Sequence, residues 1–428
     1  MNIIVETTPL LSGTLLCPPD KSISHRALIL NSMVLGEAFV ENLLEADDIF
    51  STIRVLRHLG VHIEKIDDRY RIQSNGWKES MHVLDCGNSG TTMRLMIGAL
   101  AAHEFCSIFI GDDSLSRRPM KRVLLPLQQE GVRVLGRNHH QYAPVTISGQ
   151  RPSFFSYAMP IASAQVKSAL MLFGLQGEGV ELTGIGTSRD HTERMLCAMG
   201  ADIKMLPDGL ILRPNPLRTI DVAVPGDPSS AAFFIAGGVL CGRDVHIQSV
   251  GVNPTRIAFV QALQKMGGDI TFHNERIEGG EPVADISVQK SSLRGIEVDP
   301  ASIPAQLDEL PMLAVVAVFA EGRTIVRGAK ELRVKESDRI HAIVTNLRAM
   351  GAVIEELPDG FIVEGTGVLT GATVSSFHDH RIAMASAIAG LLAKGTTTIT
   401  DSSCVSISFP DFAKKLVQLG ANCMEKEG

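Results

Sequence analysis

Aromatic side chains are scarce in this chain, which has one tryptophan and three tyrosines among its 428 residues. Proteins that bind single-stranded nucleic acid stack the bases on aromatic rings, so the composition disfavours that class. An excess of basic residues is also missing, because the formal net charge is −7. A general polyanion-binding surface needs such an excess. We therefore expect no nucleic-acid partner, and any anion site must be local.

Long apolar runs and metal-type cysteine spacing are also lacking. No uninterrupted apolar run approaches the roughly 20 residues of a membrane span, and residues 1–19 show no signal-peptide pattern. We expect no membrane partner. The seven cysteines form no CxxC pair and no Cys/His metal pattern; they are Cys17, Cys86, Cys106, Cys197, Cys241, Cys404 and Cys423. An odd number of dispersed thiols is typical of a reducing compartment, which predicts a cytoplasmic protein.

One pattern recurs along the whole chain, in which an amphipathic helix ends at a glycine and a strand follows. Glycine suits the left-handed position after a helix. The six glycines are 67 to 84 residues apart; they are Gly60, Gly131, Gly200, Gly267, Gly351 and Gly420. A chain of this length exceeds what one hydrophobic core usually supports, so we expect two domains.

A second type of helix alternates with the first and is apolar nearly all round, as buried helices are. Its six copies are 27–35, 93–102, 169–175, 231–240, 312–320 and 382–393. β-Branched stretches follow most of them. Each unit therefore contains a buried helix, a strand, an amphipathic helix and a strand over about 70 residues. A fixed period of this kind indicates six duplicated α/β units.

A similarity between two segments places the domain boundary. Pro18-Pro19-Asp20-Lys21-Ser22 resembles Pro225-Gly226-Asp227-Pro228-Ser229, and the offset of 207 residues is three units of 69. We predict one domain formed by 1–18 plus 228–428 and an inserted domain formed by 19–227, with three repeats each. The N-terminal strand would then belong to the C-terminal domain.

Cations occur at the start of one helix after another, where the helix dipole makes a cation unfavourable. They are Lys21, Arg26, Arg94, Arg118, Lys121, Lys167, Arg189, Lys335, Arg339 and Arg381. Each has an ordinary explanation by itself: Lys21-Ser22 can be a surface lysine beside an N-cap, Gly87–Gly90 a tight turn, and Lys335–Arg339 a solvated helix face. At equivalent points of a repeat, they instead indicate bound phosphates or carboxylates.

Acidic residues near these cations are fewer. Asp308-Glu309 precedes an apolar helix, where it can stabilise the helix dipole, and Glu336 lies inside a cationic stretch, where it can form a salt bridge. An acid or base among several cations is also what proton transfer beside a bound polyanion requires. Both interpretations stay open from the local pattern.

Eight ordered blocks of the sequence resemble the 5-enolpyruvylshikimate-3-phosphate synthase family, along essentially the full length of the chain. The blocks are 20–26, 87–94, 117–120, 163–165, 188–191, 308–309, 333–339 and 379–381. The resemblance implies a two-domain inside-out α/β barrel of six βαβαββ repeats, three per domain, which closes on its substrate. It also implies transfer of the enolpyruvyl group of phosphoenolpyruvate to the 5-hydroxyl of shikimate 3-phosphate, with release of phosphate.

The resemblance also implies roles for particular residues. Shikimate 3-phosphate would be bound by Lys21, Ser22, Arg26, Ser163, Gln165, Ser188, Asp308 and Lys335. Phosphoenolpyruvate would be bound by Lys21, Gly90, Arg118, Gln165, Arg339 and Arg381. Asp308 would take the proton of the hydroxyl, and Glu336, assisted by Lys21, would protonate the enol carbon. No cofactor and no metal are implied; glyphosate would be an inhibitor, and the protein a monomer.

Three residues depart from the pattern found in many members of the family. With these residues the sequence resembles a divergent bacterial branch of the family. Ala164 stands where many members have Ser, Leu95 where many have Pro, and Ile407 where many have a Lys that binds phosphoenolpyruvate. These changes concern the strength of phosphoenolpyruvate and glyphosate binding rather than the reaction.

Two other functions are compatible with parts of the pattern. A sister enzyme that transfers enolpyruvate to a UDP-amino sugar would need a Cys where Asp113 stands, and Lys-Asn instead of Lys21-Ser22. The alternative from a different class is an RNA-end cyclase or a non-catalytic anion-binding protein, but the cyclase needs a nucleotide and a basic RNA surface that the net charge does not support.

Overall fold

The computed structural model describes residues 1–427 except for the side chain of Ile407, so the expectation for Ile407 concerns a side chain outside the described part. Its helices are α1 (Lys21–Met33), α2 (Asp47–His58), α3 (Gly90–Leu100), α4 (Lys121–Gln129), α5 (Arg137–His140), α6 (Ala164–Leu175), α7 (His191–Met199), α8 (Pro228–Cys241), α9 (Ala258–Lys265), α10 (Ile303–Gln306), α11 (Leu310–Val318), α12 (Arg339–Ala349), α13 (His380–Leu392) and α14 (Phe412–Gln418).

The strands are β1 (Asn2–Glu6), β2 (Leu11–Leu16), β3 (Gly36–Glu41), β4 (His62–Ile66), β5 (Arg69–Ser74), β6 (Leu84–Asp85), β7 (Cys106–Ile110), β8 (Arg133–Gly136), β9 (Tyr142–Ser148), β10 (Phe155–Ala158), β11 (Val180–Thr183), β12 (Asp202–Leu206), β13 (Gly209–Arg213), β14 (Val222–Ala223), β15 (Gly242–Gly251), β16 (Asp269–Glu278), β17 (Glu281–Gln289), β18 (Gly322–Val326), β19 (Val353–Leu357), β20 (Gly360–Gly365), β21 (Thr373–Ser375), β22 (Thr396–Thr400) and β23 (Cys423–Lys426).

The six repeats share one architecture, which the second repeat shows most simply. Its sheet has the order β6-β7-β9-β8, in which β6 and β7 are parallel and the other neighbours are antiparallel. The buried helix α3 connects the parallel strands, and the amphipathic helix α4 leads into the antiparallel pair. The third repeat, with the order β10-β11-β13-β12, is built in the same way. The predicted unit is therefore a βαβαββ repeat.

Strands distant in sequence complete three of the sheets. The sheet of the first repeat has the order β14-β3-β5-β4, so its first strand comes from the end of the inserted segment. The N-terminal strands β1 and β2 lie in the sheets β21-β22-β1-β23 and β16-β17-β15-β2 of the C-terminal half. The N-terminal strands thus pair with strands from the C-terminal half of the chain. In the fifth repeat, β18-β20-β19 has three strands, and an isolated parallel bridge from Glu297 to Ile325 stands in the position of the fourth.

The chain divides into two compact units. Unit 1 contains Met1–Pro18, Pro225–Arg276 and the described residues from Pro282 onward, and unit 2 contains Pro19–Val224 and Ile277–Glu281. The second crossing therefore lies at 224/225 and not at the expected 227/228. The reason is strand pairing, because Val222 and Ala223 pair with β3 of unit 2, whereas Gly226 bridges to Val250 of unit 1.

The short segment 277–281 was not expected in unit 2. It joins β16 to β17, whose sheet otherwise belongs to unit 1. The ring of His191 and the carboxylate of Glu281 are 2.7 Å apart and both side chains are buried. This contact attaches the tip of the hairpin to the start of α7.

Each unit has its own hydrophobic core, built around its three buried helices. The six glycines after the amphipathic helices have φ values between 86° and 103°, the left-handed conformation that only glycine adopts without strain. Among the described residues, Pro300–Val318 has the length and composition of a membrane span, and 72% of its apolar window is buried. Its last part, α11, is a core helix of unit 1, and such helices have the same composition.

Candidate active site

The start of α1 carries the first predicted cations of unit 2. Asp20 caps the helix by accepting a hydrogen bond from the N–H of Ile23. The Nζ of Lys21 lies 3.0 Å from the carboxylate of Asp48, at the start of α2. The guanidinium of Arg26 donates to the carbonyl of Ser22 at 3.0 Å. The capped backbone and the ion pair therefore hold Lys21 and Ser22 at the start of α1.

The start of α3 holds a second group. Ser89 caps the helix, and Gly90 is its first residue. A Cβ on Gly90 would lie 2.7 Å from Nη1 of Arg94 and 3.7 Å from Nη1 of Arg118. Arg94 donates to the side-chain oxygen of Gln165 at 2.7 Å. The absence of a side chain at Gly90 therefore leaves room for the guanidinium of Arg94, whereas Arg118 would be in ordinary van der Waals contact with a Cβ.

A third group is formed by the starts of α6 and α7. Ser163 occupies the N-cap position of α6, but in the described structure its side chain makes no cap hydrogen bond. Ser188 is buried, and no described residue makes a hydrogen bond with its Oγ. An uncapped helix start and an unused buried hydroxyl fit a ligand that accepts hydrogen bonds.

Unit 1 places three carboxylates around one buried guanidinium. The Nε of Arg339 lies 2.7 Å from Asp379, Nη1 lies 3.0 Å from Asp308, and Nη2 lies 2.7 Å from Glu336. Burial by itself would lower the pKa of Arg339, but the charges of the carboxylates, Asp379 first, outweigh burial and raise it above its ordinary value. Burial would likewise raise the pKa of Asp379, and the charge of Arg339 instead holds it below its ordinary value.

Lys335 and Arg381 complete the group in unit 1. The Nζ of Lys335 is 3.5 Å from Oδ1 of Asp308. The Nη1 of Arg381 is 3.6 Å from the carboxylate of Glu309 and donates to the carbonyl of Asp308 at 3.4 Å. Glu309 is itself buried and accepts a hydrogen bond from Ser229. The predicted base Asp308 is therefore surrounded by cations.

The predicted residues fall into two sets, one in each unit. Unit 2 contains Lys21, Ser22, Arg26, Gly90, Arg118, Ser163, Gln165 and Ser188, and unit 1 contains Asp308, Lys335, Glu336, Arg339 and Arg381. Three partner residues received no role from the sequence: Asp48, Glu193 and Asp379. Lys167 was expected among the anion-binding cations, and the structure pairs it with Glu193. Asp379 lies in a block that the sequence singled out, whereas Glu193 carried no signal beyond a charge on an amphipathic helix. Among residues 1–427 no group of three or more His, Cys, Asp or Glu side chains is arranged to hold a metal ion.

A family comparison decides between the three functions. Residues 5–416 match the family model of EPSP synthase (3-phosphoshikimate 1-carboxyvinyltransferase). This chain belongs to the EPSP synthase family. Membership selects the first of the three interpretations of the sequence, over the transferase for UDP-amino sugars and the cyclase.

Curated proteins and solved structures agree with the family model. The 3-phosphoshikimate 1-carboxyvinyltransferases of Desulforudis audaxviator and Syntrophomonas wolfei are both 48% identical to this chain, over 96% and 94% of it and 97% and 96% of their own lengths. EPSP synthase from Acinetobacter baumannii superimposes with a TM-score of 0.90 at 38% identity, covering all of both chains. The enolpyruvyl transferase NikO from Streptomyces tendae, with 18% identity and a TM-score of 0.79, shares the fold.

The predicted fold class and reaction are confirmed by these similarities. The chain has the two-domain α/β fold of EPSP synthases. It is an enzyme of the shikimate pathway, the route to the aromatic amino acids, and transfers the enolpyruvyl group of phosphoenolpyruvate to shikimate 3-phosphate. Which site residue does what in this reaction depends on the chemistry of each side chain.

Proposed function

We propose that the two groups of residues bind the two substrates of this EPSP synthase together. The residues proposed for shikimate 3-phosphate are Lys21, Ser22, Arg26, Ser163, Gln165, Ser188, Asp308 and Lys335, and those for phosphoenolpyruvate are Lys21, Gly90, Arg118, Gln165, Arg339 and Arg381. The observation that carries the proposal is the arrangement around Asp308 and Glu336, two carboxylates that share the guanidinium of Arg339. An addition–elimination reaction needs one proton acceptor and one proton donor close together.

In the proposed mechanism, the oxygen of the 5-hydroxyl attacks C2 of phosphoenolpyruvate while Asp308 accepts the proton of that hydroxyl. Glu336, assisted by Lys21, donates a proton to the methylene carbon, which gives a tetrahedral adduct. The Glu336 carboxylate, which has given up its proton, then takes one back from the methyl group of the adduct, and the C–O bond to the phosphate breaks, which restores the vinyl double bond and releases inorganic phosphate. Arg118 and Arg381 would balance the charge of the phosphate and carboxylate groups during these steps.

Arg339 has a particular place in this proposal. It makes four hydrogen bonds to carboxylates, two of them to Asp379. A guanidinium has five N–H donors, and the carboxylates of the described residues take four of them, so the second N–H of Nη1 would be the one that binds phosphoenolpyruvate. Arg339 would therefore act mainly by holding Asp308 and Glu336 in place.

The proposal also covers the oligomeric state, the location in the cell and inhibition. We propose a monomer that acts in the cytoplasm and is inhibited by glyphosate at the phosphoenolpyruvate site. The dispersed free thiols support a reducing compartment. Gel filtration with light scattering tests the first property, and competition between glyphosate and phosphoenolpyruvate tests the third.

A phosphate-release assay with purified protein tests the binding assignments. Arg118→Ala removes one charged donor, so we expect the KM for phosphoenolpyruvate to rise about 10- to 100-fold. Lys414→Ala removes an exposed cation of unit 1, paired with Asp411, and serves as the control. An unchanged KM in Arg118→Ala would remove that residue from the phosphoenolpyruvate site.

A further inference from the structure

Two side-chain pairs connect helix α6 to helix α7 in unit 2. The Nζ of Lys167 lies 2.6 Å from the carboxylate of Glu193, and both side chains are almost completely buried. At the neighbouring position of each helix, the hydroxyls of Ser168, which follows Lys167, and Thr192, which precedes Glu193, are 2.6 Å apart. The pairs therefore lie side by side and fix the start of α7 against α6.

Each pair also contacts a residue proposed to bind shikimate 3-phosphate. Arg26 donates to Thr192 at 2.7 Å through Nε and to Ser168 at 2.9 Å through Nη2. Lys167 donates to the backbone carbonyl of Ser188 at 3.2 Å. The loop that carries Ser188 and the side chain of Arg26 are thus attached to the same two helices.

The charges show why Glu193 is needed. Arg26 and Lys167 are two cations buried in the same part of unit 2. Burial lowers the pKa of Arg26 to about 10, and the negative charge of Glu193 is the largest of the effects that oppose this. Glu193 therefore stabilises both cations, and Arg26 keeps its charge at neutral pH.

We propose that Lys167 and Glu193 are positioning residues for the phosphate group of shikimate 3-phosphate. Lys167 fixes the carbonyl of Ser188, and this orients the buried Ser188 hydroxyl, with which no described residue makes a hydrogen bond, towards the phosphate. Glu193 balances the charges of Lys167 and Arg26. This inference rests on the proposed role of Ser188 and Arg26 in binding the phosphate.

A folded variant without the ion pair distinguishes a positioning role from a purely structural role. Replacing a buried ion pair by apolar residues of similar volume is often neutral or stabilising. The double variant Lys167→Met/Glu193→Met should therefore stay folded but lose the orientation of the Ser188 loop. A positioning role requires that phosphate recognition is lost while stability is kept.

The experiment compares the wild type with the double variant and with Glu193→Gln, which keeps the volume and serves if the double variant does not fold. Calorimetry gives the dissociation constants of shikimate 3-phosphate and of shikimate, which lacks the phosphate; kinetics gives the KM for phosphoenolpyruvate. In the double variant we expect shikimate 3-phosphate to bind roughly 10-fold more weakly, with shikimate affinity and the KM for phosphoenolpyruvate changed less than about twofold. Glu193→Gln should show the same selectivity with a smaller loss.

Two outcomes would overturn the positioning role. Wild-type affinity for shikimate 3-phosphate in both variants would show that the ion pair is not needed for binding. Equal weakening of shikimate, shikimate 3-phosphate and phosphoenolpyruvate would indicate a general structural defect. Ser188→Ala separates this inference from the proposed site. If all three variants bind shikimate 3-phosphate normally, the assignment of Ser188 to the site is wrong. If Ser188→Ala binds weakly and the two ion-pair variants bind normally, only the role of Lys167 and Glu193 is refuted.

Discussion

Arg339 shows how one residue can serve both the fold and the chemistry of unit 1. Its side chain is 1% exposed, and an isolated buried cation would be very costly. Three carboxylates offset that cost, and two of them are the proposed proton acceptor and donor. The orientation of Asp308 and Glu336 therefore depends on a guanidinium that itself needs them.

The role of Asp308 can be tested by a conservative change. Asn has the shape of Asp and can still accept a hydrogen bond from Arg339, but it cannot accept the proton of the 5-hydroxyl. We expect Asp308→Asn to bind shikimate 3-phosphate nearly as well as the wild type in calorimetry and to lose about 10²- to 10⁴-fold in kcat. Asp411→Asn, at an exposed carboxylate of the same unit, is the control. Near-normal turnover in Asp308→Asn would leave Glu336 as the rival base.

Gly90 is the second residue with a specific prediction. A Cβ there would come within 2.7 Å of the Arg94 guanidinium, the flexible end of a side chain that bonds Gln165. Gly90→Ala should therefore fold, shift Arg94 and narrow the space for ligands. Glyphosate is longer than phosphoenolpyruvate, so we expect its inhibition constant to rise about 10-fold or more and the KM for phosphoenolpyruvate to rise less.

The measurement compares both constants in the two proteins, with urea unfolding as a check on stability. Equal weakening of both ligands, or of neither, would contradict the steric role of Gly90. The resemblance to the family implies the opposite effect for position 407, where a Lys that binds phosphoenolpyruvate is expected and this chain has Ile. We therefore expect the wild type to be inhibited less strongly than relatives with Lys.

At the scale of secondary-structure elements, a series of hydrogen bonds connects three helices of unit 2. The Nδ1 of His25 in α1 is 2.7 Å from the Thr52 hydroxyl in α2, which is 2.6 Å from the Thr92 hydroxyl in α3. Thr92 in turn donates to the N-cap Ser89 at 2.7 Å. These contacts hold the start of α3, where Gly90 lies, relative to the start of α1, where Lys21 lies.

The buried His25 in this series of hydrogen bonds predicts that the stability of the protein depends on pH. Burial lowers the pKa of His25 to about 3, whereas a histidine in an unfolded chain has a pKa near 6.5. The unfolded state therefore binds the proton first. The stability that the neutral His25 provides is complete above pH 6.5 and is lost as the pH falls from about 6.5 towards 3, by up to about 1.4 kcal/mol per pH unit.

Urea unfolding between pH 7.5 and 5 tests this prediction. His25→Asn can keep the hydrogen bond to Thr52 but cannot be protonated, so its unfolding free energy should fall less steeply with decreasing pH than that of the wild type. His246 is an exposed histidine whose Nδ1 is 2.9 Å from Ser287, and His246→Asn should follow the wild type. Parallel curves for wild type and His25→Asn would show that His25 does not titrate as expected.

At the scale of the whole molecule, the residues proposed for shikimate 3-phosphate come from both units. Lys21 and Arg26 belong to unit 2, and Lys335 belongs to unit 1. A shikimate 3-phosphate molecule that binds all three residues favours whichever arrangement of the units lets them bind together. Small-angle scattering should therefore show a smaller radius of gyration in saturating shikimate 3-phosphate, and a smaller effect with shikimate. An unchanged radius would contradict ligand-driven closure.

The repeat architecture followed from the sequence because its signals are local. A buried helix is apolar on every side, an amphipathic helix has a period of 3.6 residues, and the glycine after it needs a positive φ; each signal lies within a few residues. The bounds therefore agreed closely for α3, expected at 93–102 and found at 90–100. Helices α1 and α6 begin earlier, at 21 and 164 instead of 27 and 169, because their first turns contain polar residues. The repeated Pro-containing segments located the first crossing between the units, and the family motifs located most of the candidate site.

Only the tertiary structure decided which distant residues meet. The second crossing lies at 224/225 because β14 pairs with β3, about 180 residues away. Arg339 pairs with Asp379, which is 40 residues distant, and Lys167 pairs with Glu193, which no motif had marked. A charged residue on an amphipathic helix has the same local pattern whether it faces solvent or a buried partner. Its partner is fixed only when strands and helices from separate parts of the chain pack and exclude water, since burial then makes an unpaired charge too costly to keep.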